Sequence, residues 1–481
     1  MNTQNSPQKS PFRATFVERI TLSLFAFLTA LLLGTSPARA DADWRSNGRE
    51  IMSDIIAIPS VSDRPAEIKR ITATLKNRFE KGGFNDIIVK DYNKGGAQAL
   101  IVRWKAAGKP KKKPILLLGH MDVVEALPTD WSRDPFKLTE DGGYLYGRGT
   151  IDMKNGITAI TNALIWLKAE GFQPKRDIIV LFTGDEETGG EGARLAATEW
   201  RTLIDADFAL NADAGGGAFL ADGTLLGFGL QTSEKLYQDF SLSVRNVGGH
   251  SSRPRPDNAI YELASALKAL EGYRFSPAFT ETTRAYLTVR QKRETGKLGD
   301  AMRRWLANEK DGEAADIVEA DPTEIGTTRT RCVATRLEGG HANNALPQLA
   351  KATVNCRILP GITAKAVEAE LQRIVGPGVT ITPIDSSAPS PPSPLRADVV
   401  KAFTDVVRKR HPGADIIPQM SQGATDAVWL RGTGMPVYGV DGAWVVVPED
   451  ERAHGKDERI PVKSFNDNLD HWHDLLRALA G

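Results

Sequence analysis

The chain has 481 residues, 41% hydrophobic and 25% charged, with 61 basic side chains against 60 acidic ones and two cysteines. So even a charge balance argues against a nucleic-acid binder, and two cysteines exclude a disulfide scaffold. The length exceeds what one hydrophobic core usually organises, so two domains are expected.

The chain opens with Lys9, Arg13 and Arg19 ahead of an apolar run over 20–33, followed by Ala38-Arg39-Ala40. Basic flank, short apolar stretch and an A-x-A cleavage site read as a secretory signal peptide over residues 1–40. The run is short for a membrane span, an uncleaved anchor being the alternative. A secreted or periplasmic protein starting near Asp41 follows, without stable membrane association. Cleavage removes four basic residues and one acid, taking the formal charge from +1 to −2.

Helical spacing of apolar residues predicts helices over 44–58 and 67–81, the second stopped by Gly82-Gly83. Strands are predicted over 86–91, 99–104 and 114–118, the last ending in Gly119-His120-Met121-Asp122. His120 and Asp122 are two apart and face one side of extended backbone, where the carboxylate can orient the imidazole. A capping Asp and an unrelated His is the plainer reading of that motif alone. Next comes Gly147-Arg148-Gly149-Thr150-Ile151-Asp152, leading into a helix over 157–168. Asp152 there is either an N-cap or a ligand with two free oxygens.

The run 178–182 is β-branched and uninterrupted, as expected of a strand buried on both faces, and Asp185-Glu186-Glu187 follows it directly. Glu186 and Glu187 are neighbours and cannot point the same way, so they suit two different jobs. A strand over 206–210 ends in Asn211-Ala212-Asp213. Successive strand ends and one helix start thus deliver His, Asp or Glu to what should be one rim of an open sheet.

From Leu236 the pattern changes. A half-exposed strand over 237–247, Gly249-His250-Ser251, a helix over 258–270, strands over 331–337 and 352–359, a helix over 364–374 and a strand over 379–383 make a small α+β unit. The segment 272–324 is charged, helix-prone and poor in motifs. After the Pro/Ser-rich stretch 386–394 the first domain resumes with a helix over 398–409, strands over 416–420 and 437–440, His454 and a last helix over 464–479. The expected fold is α/β, with a central mixed sheet over 41–235 and 389–481 and the α+β unit inserted over 236–388.

His120, Asp152, Glu187, Asp213 and His454 are the candidate ligands, with Glu186 left over. Two imidazoles and three carboxylates suit a pair of borderline divalent ions, zinc first and cobalt possible. Glu186 can then carry a proton from water to a leaving nitrogen.

Gly119-His120-Met121-Asp122-Val123-Val124, Gly147-Arg148-Gly149-Thr150-Ile151-Asp152-Met153-Lys154, Gly184-Asp185-Glu186-Glu187, Gly249-His250-Ser251, Asn344-Ala345-Leu346-Pro347, Arg357-Ile358-Leu359-Pro360-Gly361 and His454-Gly455 occur in that order. The set resembles the dinuclear zinc amidohydrolases that include carboxypeptidase G, aminoacylase, acetylornithine deacetylase and succinyl-diaminopimelate desuccinylase. The resemblance covers nearly the whole chain after residue 40. It implies a zinc-exopeptidase-like catalytic domain with a ferredoxin-like lid and dimerisation domain, and a cis peptide at Asp152–Met153.

It also implies roles. Asp152 bridges two metals, His120 and Asp213 complete one site, Glu187 and His454 the other. Asp122 supports His120, and Glu186 is the general base. His250 reaches the active site of a homodimer partner to stabilise the oxyanion, Asn344 assists, and Arg357 clamps the substrate carboxylate. Asp213 stands where deacylating members tend to carry Glu and peptidases Asp, which tilts the reading toward small peptides over N-acyl amino acids. The length of 272–324 departs from a minimal lid. A non-catalytic binding protein would show a lost ligand or base, and none is missing. If the lid strands pair as a hairpin centred near Asn344, Cys332 and Cys356 fall opposite each other, either bridged or free.

Overall fold

The computed structural model describes residues 37–384 and 390–481, with side chains from Trp44 onward. Most of the expected signal segment lies outside the described residues; 37–40 begin a helix, Pro37–Ile56. The expected boundary at 388 also lies outside them. Among the described residues no helix is long and apolar enough to cross a membrane.

An eight-stranded mixed sheet runs through the larger part of the chain. Its order is Ile87–Tyr92, Ala97–Trp104, Ile178–Thr183, Ile115–His120, Phe208–Leu220, Val437–Val447, Leu225–Glu234 and Ile416–Ser421. Ile115–His120 is parallel to both neighbours, and Val437–Val447 is parallel to Phe208–Leu220. The C-terminal ends of these strands therefore share one rim, where open α/β sheets keep their chemistry. Side chains alternate between faces along each strand. Ile178, Val180 and Phe182 join one hydrophobic cluster with Ile115, Leu117 and Leu210, while Ile179 and Leu181 join another with Leu116, Leu118 and Ala209. Both faces are covered, which is why these strands read as unbroken apolar runs.

Two features differ from the sequence expectation. Phe208–Leu220 does not stop at Leu210 but continues through Asp213 and the glycines beyond it. Gly215 and Gly216 sit at φ 100° and 84°, and a Cβ on Gly215 would come within 2.9 Å of the Asp441 amide nitrogen. What reads as a glycine turn is a bulged strand whose register shifts against Val437–Val447. Leu225–Glu234 is a further strand of the same sheet.

The chain between these parts forms a second, four-stranded antiparallel sheet. Its order is Arg331–Gly339, Leu349–Ile358, Leu236–Arg245, Thr380–Pro383. Helices Ala259–Gly272 and Ala364–Val375 pack against it through Leu263, Leu270, Val367 and Leu371. In chain order this is the strand–helix–strand–strand–helix–strand pattern expected of the ferredoxin-like unit. Cys332 and Cys356 face each other in the register of the first pair and form a disulfide.

Residues 272–324 add no strand to this sheet. Helices Glu281–Arg290, Gly296–Ala307 and Gly312–Ala320 enclose their own core around Leu287, Met302, Trp305 and Val318. The first lies against Ile416–Ser421, the outermost strand of the large sheet. Arg293 reaches from the turn after it to the Leu225 and Leu226 carbonyls at 3.1 and 2.6 Å. The insertion therefore covers a sheet edge that would otherwise offer unpaired backbone groups.

Candidate metal centre

Five side chains converge at the rim. His120 ends its strand, Asp213 lies on the neighbouring strand just past the residues paired with it, and Glu187 sits in a short turn after Ile178–Thr183. Asp152 precedes helix Lys154–Ala169 without capping it, since the N-cap position is held by Met153, with no side-chain cap. The Asp152–Met153 peptide is cis. His454 comes from the loop after Val437–Val447, in a left-handed conformation at φ 61°.

The two oxygens of Asp152 divide the set. Oδ1 lies 3.1 Å from His120 Nε2, which is 3.6 Å from Asp213 Oδ1. Oδ2 lies 3.0 Å from His454 Nε2, which is 3.1 Å from Glu187 Oε2. Ligand atoms of His120, Asp152 and Glu187 all lie within 4.8 Å of one another. One carboxylate thus stands between two His–carboxylate pairs.

The electrostatics fit cations. Burial opposes protonation of His120, yet Asp213, Asp122 and Asp152 raise it well above the ordinary histidine value. Hydrogen bonds to Asp152 and Glu187 push His454 up to about 10. Burial pushes Asp213 up to about 7 and Glu186 up to about 10. Burial works against Asp152 as an anion, but hydrogen bonds from His120 and His454 hold it well below the carboxylate range. Imidazoles and carboxyls shifted upward together mean that the cluster carries excess negative charge and takes up protons to offset it. Divalent ions answer the same need, and the N/O donor set suits zinc-like metals.

The supporting groups are equally specific. His120 Nδ1 lies 3.0 Å from the Asp122 carbonyl and 3.4 Å from its Oδ1. The same carboxylate accepts the Glu186 and Glu187 amides at 3.2 and 3.0 Å and the Ser62 hydroxyl at 2.6 Å. Asp122 therefore orients a ligand and the acidic turn at once. Asp185 accepts the Tyr92 hydroxyl at 2.7 Å and the Glu191 and Gly192 amides at 3.0 and 3.1 Å, so it anchors the turn. Glu186 does not join the ligand pairs; it faces a cavity of about 750 Å³ shared with Arg357, Tyr237 and Trp429.

Sequence reasoning missed Glu458. Its fully buried carboxylate accepts Arg148 Nη1 at 2.7 Å and the amides of Gly149, Ile151 and Asp152 at 3.1, 2.7 and 3.0 Å. It pins the loop that presents Asp152. An acid four residues past His454, amid other charged residues, carries no periodic signal that would have marked it.

Residues 116–478 match the profile of peptidase family M20/M25/M40. This chain belongs to that family. Among M20 relatives, Probable carboxypeptidase S-like 2 of Dictyostelium discoideum is 28% identical over 391 residues, 79% of this chain and 74% of that protein. The human N-fatty-acyl-amino acid synthase/hydrolase PM20D1 is 29% identical over 380 residues, 76% and 74% of the two chains. The fold is shared with the M20 metallo-carboxypeptidase Sso-CP2 of Sulfolobus solfataricus, with TM-score 0.64 at 19% identity over 89% of this chain and 98% of that one. Bacillus subtilis YXEP protein, a dinuclear metal binding peptidase from the M20 family, has the same fold with TM-score 0.58 at 13% identity over 91% and 99%. The chain is a metallopeptidase-family hydrolase, and its rim holds a His–Asp–Glu group able to bind metal.

Of the remaining M20 candidates, Arg357 lines the cavity beside Glu186 and Glu187, whereas His250 and Asn344 do not line it. His250 is exposed on a two-residue strand paired with Ala345–Leu346, its Nδ1 2.8 Å from Ser252 Oγ. Asn344 is exposed and adjoins it, its carbonyl accepting the Ser251 amide at 3.0 Å. Arg357 lies over Tyr237, 4.7 Å from the ring centre, and donates to the Gln422 carbonyl at 3.2 Å. His471 and His473 pack in the core and on Trp166, as expected of residues without a site role.

Proposed function

We propose that this M20 chain is an exported hydrolase of small peptides with a free α-carboxylate, of carboxypeptidase or dipeptidase type, using two zinc ions. The observation that carries the reading is Asp152, each of whose oxygens faces its own imidazole–carboxylate pair beside Glu186. His120, Asp213 and Asp152 would hold one ion, and His454, Glu187 and Asp152 the other. Bound there, the pair would supply Lewis acidity toward a scissile carbonyl and a water.

The rest is the work of side chains. Two cations beside Glu186 would favour its carboxylate form, which takes a proton from the attacking water and returns it to the departing amide nitrogen. Arg357 keeps donors free beyond its bond to Gln422, and these can grip a carboxylate in two-point fashion. Asp122 holds His120 and the acidic turn in place. Chelation should abolish turnover and zinc or cobalt should restore it. Glu186→Gln should keep wild-type metal content while losing at least about a hundredfold in kcat; near-normal turnover would remove Glu186 as the base.

A second reading, hydrolysis of N-acyl amino acids at the same site, is favoured by the similarity to N-fatty-acyl-amino acid synthase/hydrolases. Parallel assays on dipeptides and acylated amino acids separate the two. Export rests on segment 1–40, and the mature N-terminus found in culture medium or periplasm tests it. A homodimer through the smaller sheet is supported by its edge strand Arg331–Gly339, where Val333 and Leu337 are 57% and 69% exposed and Gly339 adjoins Ile260. In such a dimer His250 and Asn344 would serve the partner's site. Light scattering across micromolar concentrations decides the assembly.

A further inference from the structure

The cavity beside Glu186 has one wall that the chemistry above does not use. Helix Ala427–Gly432 buries Ala427, Leu430 and Arg431. Helical spacing turns the intervening Val428 and Trp429 the other way, and both line the cavity together with Leu236 and Tyr237. Glu186, Glu187, Arg357 and Asp426 are its charged members, with Thr188 and Thr425 beside them. An apolar wall thus faces the base and the guanidinium.

Trp429 is held firmly. The loop before its helix is tied down by the buried Glu234, which accepts the Thr425 hydroxyl at 3.0 Å and its amide and pairs with Arg431. Asp426 is anchored by the Thr183 hydroxyl. The indole edge lies against the acidic turn itself. A Cβ on Gly190, at φ 65°, would stand 2.9 Å from Trp429 Nε1 and 3.0 Å from Asp426 Oδ1. Only a glycine lets the indole come so close to the backbone that carries Glu186.

The indole N–H has no protein acceptor among the described residues, although half-buried tryptophans generally place that donor on one. The nearby Asp426 oxygen is enclosed and without a partner, so it cannot reach a ligand. Among the described side chains of this wall, the indole N–H is a donor without a partner.

We propose that Trp429 is a substrate-binding, specificity-determining residue for the acyl half of the substrate. Its ring packs on an apolar side chain there, and its N–H donates to a carbonyl on the same half. The preferred class is then an amide whose acyl half is an apolar residue that is itself acylated or peptide-linked, that is, tripeptides or N-acyl dipeptides with a free α-carboxylate. This rests on the amide-hydrolase reading above.

Two substrates differing by one acetamido group test it: N-acetyl-phenylalanyl-leucine and 3-phenylpropanoyl-leucine. Trp429→Phe keeps an aromatic face and removes the donor. It should cut kcat/KM for the acetylated substrate by about tenfold and change the other by less than about twofold. Trp429→Ala should lower both. The ratio between substrates is read within one preparation, so partial misfolding cancels from it. An unchanged ratio in the Phe variant, or unchanged rates in the Ala variant, would overturn the assignment while leaving amide hydrolysis intact. If the metal-loaded wild type cleaves neither these substrates nor any dipeptide or N-acyl amino acid, both readings fall together.

Discussion

Replacing Glu458 by glutamine isolates the support of the metal loop from the metal ligands. The carboxylate takes four donors: Arg148 and the amides of Gly149, Ile151 and Asp152. Glutamine has a single acceptor oxygen. If that oxygen stays on Ile151 and Asp152, the amide nitrogen confronts Arg148 and Gly149, donor against donor. Arg148 and Glu458 are 3% and 0% exposed, so the arginine becomes an uncompensated buried charge, at a cost of about 3–5 kcal/mol. The displaced loop also carries Asp152, so metal affinity should fall by roughly 10–100-fold. Denaturant unfolding of the metal-loaded protein and competition with a chelator of known affinity read the two effects. Adding Arg148→Met should recover part of the stability, because it removes the stranded charge. Glu458→Gln with wild-type unfolding and wild-type metal affinity would refute the reasoning.

Three further outcomes follow from the same geometry. Burial lowers the buried His471 to about 3, so it is neutral when folded. The unfolded chain takes up that proton below about pH 6.5, so the contribution is full above pH 6.5 and lost as pH falls toward 3, about 5 kcal/mol at most. Urea midpoints of wild type and His471→Gln between pH 7 and 4.5 should show a shallower acid slope in the variant. Reducing Cys332–Cys356, which are 24 residues apart, should add two hydrogens in mass and lower the unfolding free energy by about 3 kcal/mol; thiols freely alkylated in the native protein would contradict the bridge. Lys154→Met would strand the Ile55 and Ile58 carbonyls that its Nζ reaches at 2.9 and 2.7 Å. A loss of about 2 kcal/mol is expected, and an unchanged thermal midpoint would argue against that anchor.

Much of the site was legible because its chemistry sits at element ends. Unbroken apolar runs mark strands buried on both faces, and acid or imidazole at several such ends in succession points to one shared rim where any single one would not. His120, Glu186, Glu187 and Asp213 stood out for that reason, and Asp152 through the glycines around it. The alternation of strands and helices likewise exposed the smaller sheet and placed Cys332 opposite Cys356. Local pattern alone decided these matters, because burial on one or two faces leaves a period in the sequence.

What needed the tertiary structure has no period. Asp152 could have been a helix cap, and only the approach of His120 and His454 on its two sides removes that reading. Glycines that resemble a turn became a bulge because Val437–Val447 passes close beside them. The charged insertion 272–324 gained a place only against the sheet edge it covers. Glu458 and Trp429 are ordinary residues in their own neighbourhoods. Their significance lies in what packs against them from more than 200 residues away: the Gly147–Asp152 loop for one, Gly190 and Glu186 for the other. Such long-range contacts are set by how elements pack, which short-range sequence pattern does not encode.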